Sequence, residues 1–185
     1  LEGILPKKEI LGLAEEVRKK GGFVSMRKLE DGSETPYELN ATYYSALSDP
    51  QDEELGEARF LCSQSVAMAM RGIPAIYFHS LCASPNDLKG VKETGRNRTI
   101  NRKKWKSAEL EELLDEKSEQ PIRVFEWYAR TLRKRSACPA FHPDAPQSIL
   151  DFGSSIFAVK RTSLDGNQIV LCLFNFQGED SQVPD

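Results

Sequence analysis

Gly72-Ile73-Pro74-Ala75-Ile76-Tyr77-Phe78 is the stretch on which the fold turns. Within it Pro74-Ala75-Ile76-Tyr77-Phe78 is a short, continuous apolar run, the pattern of a parallel strand buried on both faces. The residues before it read as a helix. Asp49 can cap it, Pro50 sits at the first helical position and Gly72 closes it. Its second half, Phe60 to Met70, is apolar or small nearly all round, with Leu61, Cys62, Val66, Ala67, Met68 and Ala69. Such a helix is buried on most sides, with Met68 and Met70 in the core. After the run, a long polar loop extends from Ser80 to Ser107. Two helices follow, one capped by Ser107 and bearing Leu110, Leu113 and Leu114, the other started by Pro121 and bearing Ile122, Phe125, Ala129 and Leu132. Helix, buried strand, polar loop and helix make one unit of a parallel α/β architecture. A closed (β/α)8 barrel needs eight such strands in about 250 residues. The expected fold class is therefore α/β: the C-terminal part of a (β/α)8 barrel, followed by a small antiparallel β domain.

That β domain is expected near residue 145. Ser155 to Thr162 and Gln168 to Phe176 are rich in β-formers and joined by Leu164-Asp165-Gly166-Asn167, a hairpin signature. The polar tail after Gln177 is expected to fray. At the other end, Pro6 opens a helix with Ile10, Leu13, Ala14 and Val17 on one face, stopped by Gly21-Gly22. Phe23 to Lys28 reads as a short strand and Asp31-Gly32 as a turn. Thr35-Pro36-Tyr37 reads as a break, and Pro36 to Leu47 as an ordered polar and aromatic loop.

Composition removes several function classes. Of 185 residues 39% are hydrophobic and 29% charged, which describes a globular chain. A net charge of −3 argues against general nucleic-acid binding. No apolar run approaches the ~18 residues of a membrane span, and no signal peptide opens the chain, so the expected setting is cytoplasmic. Cys62, Cys82, Cys138 and Cys172 lack metal or redox spacing and read as reduced thiols, and His79 and His142 are too few for a His-rich metal site. The first residue is Leu rather than Met, so a piece of a longer protein is expected.

The long loop holds Arg96-Asn97-Arg98-Thr99-Ile100-Asn101-Arg102-Lys103-Lys104-Trp105, with five positive charges and no helical or strand period. A guanidinium fork makes two parallel hydrogen bonds to vicinal hydroxyls, a carboxylate or a phosphate. Amides add donors and acceptors, and an indole adds a flat apolar face. The set suits a polyol, sugar or anion, and the loop leaves the carboxyl end of the expected strand, where α/β folds bind ligands. Each residue also has a plainer reading. Arg98 can be a salt bridge tying the loop down, and Asn86-Asp87 after Pro85 makes a good turn. Arg102, Lys103 and Lys104 read as structural or solvated, Trp105 as a packing anchor, Tyr43 and Tyr44 as packing groups, and His79 as hydrogen-bonded scaffolding.

Taken together these residues resemble a known family. Gly72 to Phe78 resembles the eighth-strand segment of α-amylase-superfamily (glycoside hydrolase family 13) barrels. Asn86-Asp87 followed by Arg98-Thr99-Ile100-Asn101-Arg102 resembles the N-D and G-R-x-I-N-R signatures of the sucrose phosphorylase group. Tyr37-Glu38-Leu39-Asn40-Ala41-Thr42-Tyr43-Tyr44-Ser45-Ala46-Leu47 resembles the same group's Y-Q/E-x-N-x-T-Y-Y-x-A-L loop. Glu38 stands where sucrose phosphorylases usually carry Gln, and Asn97 where they carry Gly. The Pro-Tyr-Glu-Leu-Asn wording, with Ile76-Tyr77-Phe78-His79-Ser80-Leu81, is nearer the glucosylglycerate phosphorylases.

The resemblance implies a retaining glucosyl transfer from a sucrose- or glucosylglycerate-like α-glucoside to phosphate, giving glucose 1-phosphate. The family's nucleophile, acid/base and third Asp precede the matched region, so the expected catalytic set within this chain is none, and the chain alone is expected to be inactive. Retention needs a carboxyl pair about 5–5.5 Å apart, and no spacing here identifies one. Arg98 aligns with the arginine that holds glucosyl hydroxyls, Tyr37 with a loop tyrosine near phosphate and acceptor, and Glu38 with an acceptor-contacting position; Asp87 is a further candidate lining residue. A carboxylate at 38 beside an anionic acceptor requires a compensating cation, Arg96 or Arg102. The implied layout is a barrel insertion and acceptor loop over 1–47, the last barrel βα units with the substrate loop over 48–144, and the start of a β-sandwich over 145–185. No cofactor is expected beyond phosphate as co-substrate. Expected partners are the sugar, phosphate and the rest of the same polypeptide, with a homodimer possible and neither nucleic acid nor membrane. The alternatives are a hydrolase or transglucosidase of the same superfamily, or a non-catalytic carbohydrate- or nucleic-acid-binding module.

Overall fold

The computed structural model of the chain describes residues 3–49, 51–115, 120–177, 180 and 182, and Leu114 in backbone only. Pro50 and much of the tail expected to fray therefore lie outside the described residues. The chain divides into two compact units, Leu1–Phe60 with Tyr77–Phe125, and Leu61–Ile76 with Glu126–Asp185.

In the first unit, α1 (Lys7–Lys19) follows Pro6, whose fixed φ suits a helix start. Ala14 and Val17 are buried and Leu13 stays exposed. Gly22 closes the helix against the strand that follows. A Cβ there would lie 2.6 Å from a Val17 methyl and 3.0 Å from the Asn40 carbonyl, so only glycine permits the approach. Strands β1 (Phe23–Lys28) and β2 (Glu34–Asn40) form an antiparallel hairpin, turned at Asp31-Gly32 as the sequence indicates. Asp31 Oδ1 accepts from the Ser33 amide at 2.9 Å, and Gly32 takes φ +80°.

The expected loop over Pro36–Leu47 is instead the strand β2 followed by helix α2 (Tyr43–Leu47). Its buried positions, Thr35 and Asn40, are polar, so the strand carries no apolar alternation to read. Asn40 is satisfied there by Nδ2 bonds to Ser25 Oγ at 2.9 Å and the Glu38 carbonyl at 3.1 Å. Ser25 faces Glu38 while Met26 faces Pro36, leaving Tyr37 as the extra residue of a β-bulge. A proline is tolerated at such a position because the ladder asks no N–H of it. Tyr43 and Tyr44 set their edges against the fully buried Phe60, with centroids 6.3 and 5.4 Å away, in the packing role read for them.

Helix α3 (Glu53–Ala69) starts later than expected. Asp52 rather than Asp49 caps it, accepting from the Leu55 amide at 2.9 Å, while Asp49 pairs with Arg59 at 3.3 Å. The buried parallel strand expected at Pro74–Phe78 is absent. Among the described residues both sheets are antiparallel, and neither includes this run. A strand buried on both faces exists only between hydrogen-bonded neighbours; without them Ile73 is 84% exposed. Phe78–Leu81 is instead a short helix, α4. The expected polar loop to Ser107 is partly helical too, with α5 (Leu88–Thr94) and a 3-10 turn at Asn97–Asn101. Helices α6 (Ser107–Asp115) and α7 (Gln120–Ser136) fall where the sequence indicates, although Ser107 lies within the first turn and donates to Glu111 one turn on.

The second unit is built on a three-stranded antiparallel sheet in the order β3 (Gln147–Asp151), β4 (Ile156–Thr162), β5 (Ile169–Asn175). The β4–β5 hairpin matches expectation, while β3, with only Ile149 and Leu150 apolar, carries too weak a signal to read. Ala69, Val159 and Phe174 form its core, with Cys62, Val66 and Met70 packed against them. Arg161 is fully enclosed and, among the described residues, pairs with no carboxylate. Its guanidinium donates to the carbonyls of Ala69 at 2.9 Å, His142 at 3.0 Å and Ala145 at 3.4 Å, and lies 5.6 Å from the Phe141 ring centre. Replacing it removes a donor from all three carbonyls, of which His142 keeps the Ala145 amide at 2.9 Å. Arg161→Met should therefore cost about 2–4 kcal/mol of stability in urea unfolding followed at Trp127. An unchanged midpoint would contradict the bracing role.

Candidate functional site

Two neighbouring residues draw the sequence-marked loops together. The Asn86 side-chain carbonyl accepts from the Thr42 amide at 2.7 Å, and the Asn86 main-chain amide donates to Ser45 Oγ at 3.0 Å. The Asp87 amide donates to the Ile100 carbonyl at 2.8 Å. Asp87 Oδ1 accepts from the Gly90 amide at 2.9 Å, capping α5. Asp87 is thus a cap and a turn residue, the plainer of its two readings.

Helix α5 ends at Gly95 in the left-handed conformation, and Thr94 and Thr99 hydroxyls brace the next turn at 2.8 Å. Ile100, fully buried, anchors that turn. Arg98, two residues earlier, reaches across to the bulged strand, where its Nε donates to Glu38 Oε2 at 2.8 Å. Sixty positions apart in sequence, Glu38 and Arg98 form a partly solvated ion pair, their side chains 32% and 55% exposed. The cation against Glu38 is therefore Arg98, not Arg96 or Arg102. Only Nε of Arg98 is engaged among the described residues, so its two terminal nitrogens remain an open fork. Tyr37, out of register on the bulge, is 62% exposed beside this pair.

His79 lies on α4 and is buried. Its Nδ1 is 3.2 Å from Ser84 Oγ, and the rings of Tyr77 and Phe78 stand edge-on to it at 5.1 and 5.8 Å. Ala83, between two buried neighbours, takes φ +44°, a left-handed conformation uncommon for a residue with a Cβ. Tyr77 carries the cluster onward by donating its hydroxyl to the Asn101 carbonyl at 3.0 Å. Burial pushes the His79 pKa below the ordinary 6.5; Asp87 works against this and Lys103 adds to it. The neutral ring is scaffolding for the Arg98 turn, as its plainer reading holds.

The remaining basic residues are peripheral. Arg102 and Lys104 are exposed. Lys103 Nζ sits 3.5 Å from the Trp105 ring centre, a cation–π contact. Trp105 lines a cavity of about 580 Å³ with Leu113, Gln120 and Arg123, and its indole N–H is buried without a hydrogen-bond partner among the described residues. Sequence reasoning did not find the Asn86 bridge or the Thr42 cap of α2. The Thr-x-x-Ser spacing was the available signal for the cap. Among the described residues no group of His, Cys, Asp and Glu is arranged to hold a metal ion, and no helix is long and apolar enough to cross a membrane.

No protein-family model matches the chain. It is 43% identical over 175 residues to a glucosylglycerate phosphorylase of Spirochaeta thermophila, covering 94% of this chain and 30% of that protein. It is 38% identical over 169 residues to a glucosylglycerate phosphorylase of Escherichia coli, covering 90% of this chain and 30% of that protein. A crystal structure of sucrose 6F-phosphate phosphorylase from Thermoanaerobacter thermosaccharolyticum superposes with a TM-score of 0.67 at 24% identity, covering 97% of this chain and 36% of that one; at that identity the likeness bears on the fold. The chain is thus a relative of the glucoside phosphorylases of the sucrose phosphorylase group and corresponds to their C-terminal part. Within that group the relatives reported at 43% and 38% identity are glucosylglycerate phosphorylases. The chain spans about 30% of their length.

The His79 environment has a pH signature. Its pKa is lowered on folding, so above pH ~6.5 the ring is neutral in both states and contributes no pH dependence. Below that pH the unfolded chain takes the proton first, and stability is lost as acidification proceeds toward the native pKa. In denaturant unfolding, His79→Gln should flatten the decline between pH 7.5 and pH 5.5. A steeper decline in the variant would mean that the folded state binds the proton more tightly.

Proposed function

We propose that the polypeptide carrying this chain is a retaining glucoside phosphorylase. It moves a glucosyl unit from a glucosylglycerate- or sucrose-like α-glucoside to inorganic phosphate and releases glucose 1-phosphate. On this reading residues 48–144 belong to the last part of a (β/α)8 barrel whose strands lie elsewhere in the polypeptide, and a β-sandwich begins near residue 145. The reacting carboxylates also lie elsewhere, and this chain contributes substrate-binding loops. The enzyme works without a resident cofactor, in the cytoplasm, on small-molecule partners.

The observation that carries the proposal is the meeting of Arg98 with Glu38 beside Tyr37. The three come from two separate segments that each resemble the sucrose phosphorylase group. A site with Glu38 alone would repel an anionic acceptor such as glycerate or phosphate. With Arg98 as its counter-ion the pair is close to neutral, and the open guanidinium fork suits vicinal hydroxyls or a planar anion. This favours glucosylglycerate over sucrose as the donor.

Turnover by the whole polypeptide tests the reading. Release of glucose 1-phosphate from glucosylglycerate should require phosphate, and donor consumption that ignores phosphate would make the enzyme a hydrolase or transglucosidase. Arg98→Ala should lower kcat/KM for the donor by ~10- to 100-fold, the scale of a lost charged hydrogen bond at a binding site. Unchanged kinetics would reduce Arg98 to a loop tie. Glu38→Gln should alter the ranking of acceptors more than the use of donors, and an equal loss on every acceptor would contradict its acceptor role.

A further inference from the structure

We propose that Asn86 is a positioning residue whose role is to hold Glu38 and Arg98 within bonding distance, a proposal that rests on the phosphorylase reading of the site. Neither partner of the ion pair is placed by its own neighbours alone. Glu38 lies on a bulged strand of a two-stranded sheet, and Arg98 on a five-residue 3-10 turn. Two-stranded ribbons and single turns are weakly stable without outside support. The support enters through the dipeptide Asn86-Asp87.

On the Glu38 side, Asn86 makes three contacts with chain flanking β2. Its Oδ1 accepts from the Thr42 amide at 2.7 Å and its amide donates to Ser45 Oγ at 3.0 Å. Its Nδ2 reaches the Lys20 carbonyl at 3.5 Å, at the end of α1. Thr42 follows β2 by two residues and caps α2 through its hydroxyl, so the exit of β2 is fixed from both sides. On the Arg98 side, the next amide along, that of Asp87, holds the Ile100 carbonyl at 2.8 Å. The side chain and main-chain amide of Asn86 and the main-chain amide of Asp87 therefore tie both segments to one dipeptide. An amide suits the position because it must accept on one side and donate on the other. Aspartate would keep the Thr42 bond and lose the donor to Lys20; alanine would lose both side-chain bonds.

The test is a double-mutant cycle in the whole polypeptide. In the wild-type background the effects of Glu38→Gln and Arg98→Lys on kcat/KM should be non-additive by about two- to five-fold, the range of a partly solvated ion pair. In an Asn86→Ala background the same two changes should become additive, while Asn86→Asp should restore part of the coupling. A residue with a merely structural role would lower the melting temperature and leave the coupling as it was; that result overturns the proposal, as does the absence of coupling in the wild type. A second readout does not depend on turnover. The Arg98 Nε–H resonance, shifted in wild type and returned to the free arginine position by Glu38→Gln, should also return to it in Asn86→Ala and lie between the two in Asn86→Asp. A resonance unmoved by Asn86→Ala overturns the proposal even in an inactive protein. Correct resonance behaviour without glucose 1-phosphate release would remove the phosphorylase reading and leave the positioning role standing.

Discussion

The amino-terminal unit depends on how the polar groups of residues 86 and 87 are satisfied. The sheet there has two strands, the helix α2 has five residues and the arginine-bearing turn is a single 3-10 turn. None of these stands alone in water. Asn86 and Asp87 give long-range hydrogen bonds to α2, to Thr42 just beyond the sheet and to the 3-10 turn, so the chain beside Glu38 and the turn bearing Arg98 share one anchor. Apolar burial supports the arrangement at a few points, notably Ile100 under the turn and Phe60 under the tyrosines. The geometry of the site itself is set by hydrogen bonds.

The carboxy-terminal unit solves a different problem. Its sheet has a true apolar core, and the unusual element is a buried guanidinium paired with no acid among the described residues. Arg161 gives its terminal nitrogens to three main-chain carbonyls from two segments, the end of α3 and the turn at residues 142–145, leaves Nε without a partner among the described residues, and rests against an aromatic ring. Burial and the nearby Arg135 both push its pKa down from the usual arginine value. Arginine starts from so high a value that it keeps its charge. It acts as a cross-link between helix end, turn and strand.

Legibility in the sequence followed the physics of each signal. Helices α1, α3 and α7 and the β4–β5 hairpin were readable because apolar period and turn chemistry coincide there. Strand β2 was not, because its buried residues are Thr35 and Asn40, and polar burial has no periodic signature. The run Pro74 to Phe78 reads as a central strand, yet strand formation is a property of neighbours as much as of the residue run. At the site, Arg98, Glu38, Tyr37 and Asp87 were all marked in advance from residue type and family resemblance. A salt bridge at Arg98 is the plainer reading the sequence offers and the structure shows one, but its partner Glu38 could not be read, since no local rule links positions sixty apart. The bridging role of Asn86 was hidden for the same reason: a side-chain amide can satisfy a main-chain group anywhere, and sequence does not say which.

The central claim is that the Arg98 guanidinium, steadied by Glu38, grips a sugar. A crystal structure of the whole polypeptide with glucose 1-phosphate bound measures this directly. The account predicts terminal nitrogens of Arg98 within 3.2 Å or so of two oxygens of the glucosyl unit, with Nε still on Glu38. Ligand seated elsewhere, with the Arg98 fork turned to solvent, would contradict it.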